Sequence, residues 1–192
     1  MKLEEYAELD ATALGELVAA GEVTAAELAA LARAAYNALN PKLNAILEFY
    51  EDAESVRGAD SGIFPGVPFL RKDVGATEAG RLQEIGSRLF QGHRPAETSY
   101  YIERAWAGGL RIIGRSAVPE LATSGFTESI VNGITGNPWN LARTAGGSTL
   151  RRGWAVSVAR SVASTFMLGS RRGVGDALSS RAASAAGAGS SA

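Results

Sequence analysis

The composition of the chain changes abruptly at Thr149, and this change limits the part that can build a packed core to residues 1–148. The 44 residues from Thr149 to Ala192 include ten Ala, nine Ser and six Gly, with six Arg and one acidic residue. Their net charge is +5, whereas residues 1–148 hold 13 basic and 19 acidic residues, a net of −6. So little apolar bulk cannot offset the entropy lost on ordering. We therefore predict one folded unit over residues 1–148 and a tail, 149–192, that is disordered or encoded in a shifted reading frame.

Residues 1–148 alternate between helical patterns and short apolar runs. Thr24 and Glu27 form a capping box that opens a helix, and Asn40-Pro41 is expected to end it. A second helix is expected over residues 98–107, with Gly108-Gly109 as its C-cap. Short apolar runs typical of buried strands occupy residues 43–49, 67–70 and 110–114. This alternation predicts an α/β architecture.

Several classes of protein are excluded by residue counts. The chain has no cysteine, which excludes disulfides, thiolate catalysis and cysteine-based zinc sites. Its single histidine, His93, excludes a histidine-cluster metal site, and no cofactor is expected. A net charge of −1 gives no broad attraction to nucleic acid or to an anionic membrane. The acidic N-terminus lacks a signal-type apolar region and no apolar run could span a bilayer, so we expect a cytoplasmic protein.

Lys72 is the first candidate site residue, because it follows the apolar run at residues 67–70 and precedes Asp73. Residue types alone leave two interpretations open. The lysine and the aspartate could be an ordinary solvated pair. Alternatively, Lys72 points inward, where burial disfavours its ammonium form and makes the neutral amine available as a base.

Two later segments have glycine-rich or aromatic turns. Gly146-Gly147-Ser148 could bring the backbone close to a substrate and present a serine hydroxyl that relays protons, or it could be only a loop. Asn137-Pro138-Trp139 predicts an extended turn that is anchored by a buried Trp139.

Taken in order, these segments resemble the amidase-signature family over residues 12–149. The segments that carry the resemblance are the lysine strand, a Gly-Ser segment, a helix–strand–Pro-Glu unit and the final Asn-Pro-Trp and Gly-Gly-Ser turns, at residues 66–73, 86–90, 107–120 and 136–148. The resemblance implies an incomplete, N-terminal part of the family's α/β fold, a mixed sheet core flanked by helices. It also implies an amidase that hydrolyses the C–N bond of a small-molecule amide through an acyl-enzyme. Small linear or lactam-like amides are favoured over glutamine.

The resemblance implies a Ser–Ser–Lys mechanism in which Lys72 is the base and Ser148 is the bridging serine. The nucleophile belongs to a later Asp-x-Gly-Gly-Ser segment of the family. Here the chain departs from the family pattern, because Leu150-Arg151-Arg152 follows Thr149 where the family has further glycines. Ser170 lies near the expected nucleophile but lacks the preceding Asp-x-Gly-Gly. We therefore expect a chain that has no amidase turnover.

Two other hypotheses stay open. The chain could be a non-enzymatic, truncated or frame-shifted gene product, which the missing nucleophile segment favours. It could also be a small binding domain with a basic tail for nucleic acid, although the tail offers only Trp154 and Phe166 for base stacking. His93 is expected in an exposed loop. A homo-oligomer is left open.

Overall fold

The computed structural model describes residues 1–56, 58–59 and 61–147, and the predictions made for residues 149–192 lie outside this part of the chain. Three helices precede the first strand: α1 (Leu3–Glu8), α2 (Ala11–Ala19) and α3 (Ala25–Leu43). The capping box predicted for α3 is confirmed. The Thr24 hydroxyl accepts a hydrogen bond from the Glu27 N–H at 3.2 Å, and the Glu27 carboxylate accepts one from the Thr24 N–H at 2.7 Å.

The predicted end of α3 at Asn40-Pro41 is wrong, because the helix continues through Pro41 to Leu43. Proline removes only one backbone donor, and this position lies in the last turn of the helix. The Asn40 side chain stabilises the exit, since its Oδ1 accepts hydrogen bonds from the N–H groups of Ala45 and Ile46. The helix ends at Asn44, which has a left-handed backbone with φ 51°.

The main sheet has three strands in the order β1-β3-β2: β1 (Ile46–Phe49), β2 (Pro68–Lys72) and β3 (Arg111–Ser116). β3 pairs antiparallel with β1 and parallel with β2. A parallel pair needs a crossover connection, and helix α4 (Tyr100–Ala107) lies within it. The α/β class, the mixed sheet and the predicted strands are confirmed, with boundaries shifted by a few residues.

The core joins the helices to this sheet. Leu14 of α2, Leu28 of α3 and Ile102 of α4 are at most 1% exposed, and they belong to one cluster with Phe69 of β2 and Ile112 of β3. Burial of these side chains is the main source of stability. Among the described helices, none combines the length and hydropathy that crossing a bilayer requires.

Two short hairpins follow the sheet: β4 (Glu128–Ser129) with β5 (Gly133–Ile134), and β6 (Gly136–Asn137) with β7 (Asn140–Thr144). The turn between β6 and β7 is present as predicted, but the predicted burial of Trp139 is wrong. This side chain is 65% exposed. The hairpin lies outside the hydrophobic core cluster and β7 is exposed along most of its length, so its turn is at the surface.

Candidate active site

Lys72 is the last residue of β2 and pairs in register with Ser116, the last residue of β3. The Lys72 side chain is half-buried. Burial lowers the pKa of its ammonium group below the ordinary lysine value, because the charged form loses hydration. The side chain is thus partly removed from solvent, and its role as a base stays a prediction.

Asp73 does not provide the counter-charge that a solvated Lys72–Asp73 pair would need. Its side chain is fully buried, and Oδ1 accepts hydrogen bonds from Arg115 Nη1 at 3.0 Å and from the Glu84 N–H at 3.1 Å. Arg115 also donates to Glu84 Oε2 at 2.7 Å and to Glu48 Oε2 at 2.9 Å. Burial by itself would lower the pKa of Arg115, but the carboxylates of Asp73, Glu84 and Glu48 outweigh it and raise the pKa. Arg115 is therefore a fixed positive charge next to the end of β2.

A second buried network surrounds Arg71, which precedes Lys72 and is 1% exposed. Arg71 Nε donates to Tyr50 Oη at 2.9 Å, and Tyr50 Oη donates to Glu78 Oε2, also at 2.9 Å. The Arg71 guanidinium further donates to the Leu82 carbonyl oxygen. Burial raises the pKa of Glu78, and the hydrogen bond from Tyr50 and the charge of Arg71 counteract it only in part. Both residues that flank Lys72 are thus held by buried polar groups.

The Gly146–Gly147 turn is held by two threonines. The Gly146 carbonyl oxygen accepts hydrogen bonds from the N–H of Thr127 at 2.9 Å and from its hydroxyl at 2.7 Å, and the Ala145 N–H donates to the Thr135 carbonyl oxygen. A Cβ atom at Gly147 would lie 2.7 Å from the Phe126 backbone, so this position requires glycine. Ser148 lies outside the described residues, and its distance from Lys72 remains a prediction.

The Gly86-Ser87 segment contacts the Pro119-Glu120 segment, although the two are far apart in the sequence. The buried Ser87 hydroxyl donates to Glu120 Oε1 at 2.9 Å. A Cβ atom at Gly86, where φ is +61°, would lie 2.9 Å from the Val118 carbonyl oxygen. Three neighbouring non-glycine residues also have positive φ: Ile85, Leu121 and Ala122. Such strain persists only where the surrounding structure holds it, and it concentrates at functional sites.

Some partners in these networks could not be found from the sequence. The local sequence gives ordinary structural roles to these residues: Tyr50 as a core aromatic, Glu78 as an acidic loop residue and Arg115 as an arginine near a strand end. Their spacing in the sequence does not link them. His93 is exposed in a loop, as predicted.

The described part of the chain thus combines a mixed sheet, a half-buried lysine at the end of its edge strand and a Gly-Gly turn held by two threonines. The sequence profile of the amidase family matches residues 16–170. The chain therefore belongs to the amidase-signature family, whose hydrolases act on C–N bonds, and it covers an N-terminal part only. The match continues to Ser170, so the expectation that the resemblance ends at Thr149 is corrected.

Individual relatives agree with this assignment. The chain is 38% identical over 155 residues to the 6-aminohexanoate-cyclic-dimer hydrolase of Pseudomonas sp. (strain NK87), a match that covers 79% of this chain and 31% of the relative. It is 35% identical over 157 residues to a glutamyl-tRNA(Gln) amidotransferase subunit from Chloroflexus aurantiacus (strain ATCC 29366 / DSM 635 / J-10-fl), covering 77% and 32%. A solved 6-aminohexanoate cyclic dimer hydrolase in complex with substrate superposes with a TM-score of 0.70 at 33% identity, covering 83% and 33%. The chain spans about a third of the length of these relatives.

Proposed function

We propose that the chain carries the lysine half of an amidase site, in which Lys72 is the base and Ser148 is the bridging serine. The observation that carries this proposal is the environment of Lys72, which is half-buried at the end of a strand, where burial lowers the pKa of its amine, and which is followed by an aspartate already bound to Arg115. A base must be neutral near the working pH, and lysine reaches that state only when burial or neighbouring cations lower its pKa. The reaction is hydrolysis of a carboxylic amide C–N bond through an acyl-enzyme.

Within this proposal the substrate class is a small cyclic or linear amide, and the location is the cytoplasm. The support for the substrate is the similarity to hydrolases whose name states the cyclic dimer of 6-aminohexanoate as their substrate. The same mechanism requires a serine nucleophile and oxyanion-hole donors from an Asp-x-Gly-Gly-Ser segment. No such segment occurs in the 192 residues. We therefore infer that the chain by itself is inactive.

The test joins residues 1–148 of this chain, which include both Lys72 and Ser148, to the remaining, nucleophile-bearing part of the Pseudomonas hydrolase. The chimera should hydrolyse the 6-aminohexanoate cyclic dimer, and Lys72→Met should abolish that activity. Lys42→Met is the matched control, because Lys42 lies exposed in the last turn of α3. A chimera in which both variants are equally active would refute the role of Lys72.

The alternative is a non-enzymatic gene product, which is favoured by the missing Asp-x-Gly-Gly-Ser segment. Treating the purified 192-residue chain with a fluorophosphonate probe and an aryl amide tests whether the chain has a nucleophile of its own. We expect neither labelling nor turnover. Covalent labelling at Ser170 would contradict the inference that the chain lacks a nucleophile.

A further inference from the structure

Lys72 lies on one face of the sheet, and Arg71 and Asp73, its charged neighbours in the sequence, lie on the other. Successive side chains of a strand point to opposite faces, and residues paired in register across parallel strands share a face. Lys72 therefore shares its face with Ser116, while Arg71 shares the other face with Arg115. Asp73, just beyond the strand, contacts Arg115 and so lies on the arginine face.

Arg115 forms ion pairs with three carboxylates from three segments of the chain. Nη1 donates to Asp73, Nη2 to Glu84 and Nε to Glu48, at 3.0, 2.7 and 2.9 Å. The Arg115 side chain is only 6% exposed and the Asp73 side chain is fully buried, so solvent screens their interaction little. This guanidinium therefore fixes the position of the Asp73 carboxylate.

The negative charge of Asp73 can affect the pKa of Lys72, because the two residues are adjacent in the sequence. A carboxylate close to a lysine in a poorly screened site favours the ammonium form. A lysine that acts as a base needs the opposite effect. Arg115 binds the Asp73 carboxylate on the other face and so keeps it from stabilising the ammonium form of Lys72.

We propose that Arg115 is a positioning residue for Lys72: by binding Asp73 on the opposite face of the sheet, it keeps that carboxylate from pairing with the lysine amine. This inference rests on the proposed function, since it assigns a purpose to the Lys72 environment.

The test uses the small number of lysines in the chain. Only Lys2, Lys42 and Lys72 are present, so NMR of the full 192-residue chain labelled with ε-¹³C-lysine gives three lysine signals, and Lys72→Arg assigns the third. The titration midpoint of each signal is measured, with Lys2 and Lys42 as internal references. No catalytic activity is needed.

Asp73→Asn is the decisive variant, because it removes the charge and keeps an oxygen that can accept from Arg115. If Arg115 holds the Asp73 carboxylate away from the lysine amine, the Lys72 midpoint stays within a few tenths of a pH unit of wild type. A fall of about one pH unit, the size expected when a nearby charge is lost, would show that Lys72 feels the Asp73 charge and would overturn the proposal.

Arg115→Met provides the complementary result. It should raise the Lys72 midpoint by about one pH unit, and adding Asp73→Asn should reverse part of that rise. A rise that the second substitution leaves unchanged would indicate loosening of the fold and would count against the proposal. Arg33→Met, which breaks the Arg33–Glu54 pair elsewhere, is the matched control and should leave Lys72 unchanged. If the Arg115 variants do not fold, the Asp73→Asn result alone decides.

The two proposals fail in different ways. A wild-type Lys72 that titrates together with Lys2 and Lys42 would refute its role as a base without bearing on the Arg115–Asp73 contact. A fall of the midpoint in Asp73→Asn would refute the Arg115 assignment and leave the base role standing.

Discussion

Arg115 donates a hydrogen bond to Asp73 over 3.0 Å, and the two residues are 42 positions apart in the sequence. Burying such a pair costs desolvation that its attraction only partly offsets, so it is weak support for stability. Its effect is to fix geometry, because it ties the end of β2 to β3 beside Lys72. The strand that carries the candidate base is thus held by side chains as well as by backbone hydrogen bonds.

Glu78 should give the protein a pH-dependent loss of stability. Its pKa is raised in the folded state, so between the ordinary and the raised value the folded protein binds more protons than the unfolded chain. Stability from this group is therefore lost as pH rises. In urea unfolding, Glu78→Gln should gain stability relative to wild type as the pH rises above the ordinary glutamate pKa. Glu103→Gln, exposed on α4, is the control and should show no such trend.

Gly147→Ala should open the glycine turn. The added Cβ would lie 2.7 Å from the Phe126 backbone, which forces the backbone to move at a cost of about 1–3 kcal/mol. Hydrogen exchange of the Thr127 and Ala145 N–H groups should accelerate, because both hydrogen bonds hold this turn. Gly125→Ala is the matched control, since a Cβ atom there meets open space. Equal exchange rates in the two variants would contradict the close approach at Gly147.

Asn44 should stabilise the folded protein through both its backbone conformation and its side-chain hydrogen bonds. Its left-handed φ favours Asn or Gly, and its Nδ2 donates to the carbonyl oxygens of Asn132 at 2.5 Å and Ile134 at 3.2 Å. Asn44→Gly keeps the conformation and loses these contacts, at about 0.5–1.5 kcal/mol each. Asn44→Ala should lose about 1 kcal/mol more. Urea unfolding measures both, and a neutral Asn44→Gly would show that the side-chain contacts contribute nothing.

The tail after Ser148 should be encoded in a shifted reading frame. Leu150-Arg151-Arg152-Gly153 can be written CTC-CGG-CGG-GGN, and reading one base later gives Ser-Gly-Gly, the glycines that the family pattern expects. Because the family match continues to Ser170, more than one frame change is expected. The gene's nucleotide sequence is the measurement. Another frame should encode Asp-x-Gly-Gly-Ser and further amidase sequence, whereas stop codons scattered through both other frames would contradict it.

The fold was predictable where local chemistry determines it. The capping box at Thr24 and the apolar runs of β2 and β3 each have a physical cause within a few residues. The end of α3 was not, because the Asn40 side chain stabilises a helix exit beyond Pro41. Trp139 shows the same limit, since hydrophobicity favours burial but does not tell which surface is there to cover the side chain.

The candidate site was predictable only in part. Lys72 could be selected because a motif contains it. The sequence could not show that Arg115 binds Asp73, Glu84 and Glu48. These partners lie 42, 31 and 67 positions from Arg115, respectively. Pairings over such distances depend on the topology of the sheet.

The parallel pairing of β2 with β3 also has a kinetic consequence. Strands joined through a long crossover must close a large loop before their contacts form, so proteins dominated by such contacts fold slowly. The backbone hydrogen bonds of helices α2 and α3 are local, whereas the surroundings of Lys72 are assembled from distant segments. We therefore expect the N-terminal helices to gain amide protection early in refolding, and the Lys72 environment to be the last part of the sheet to mature.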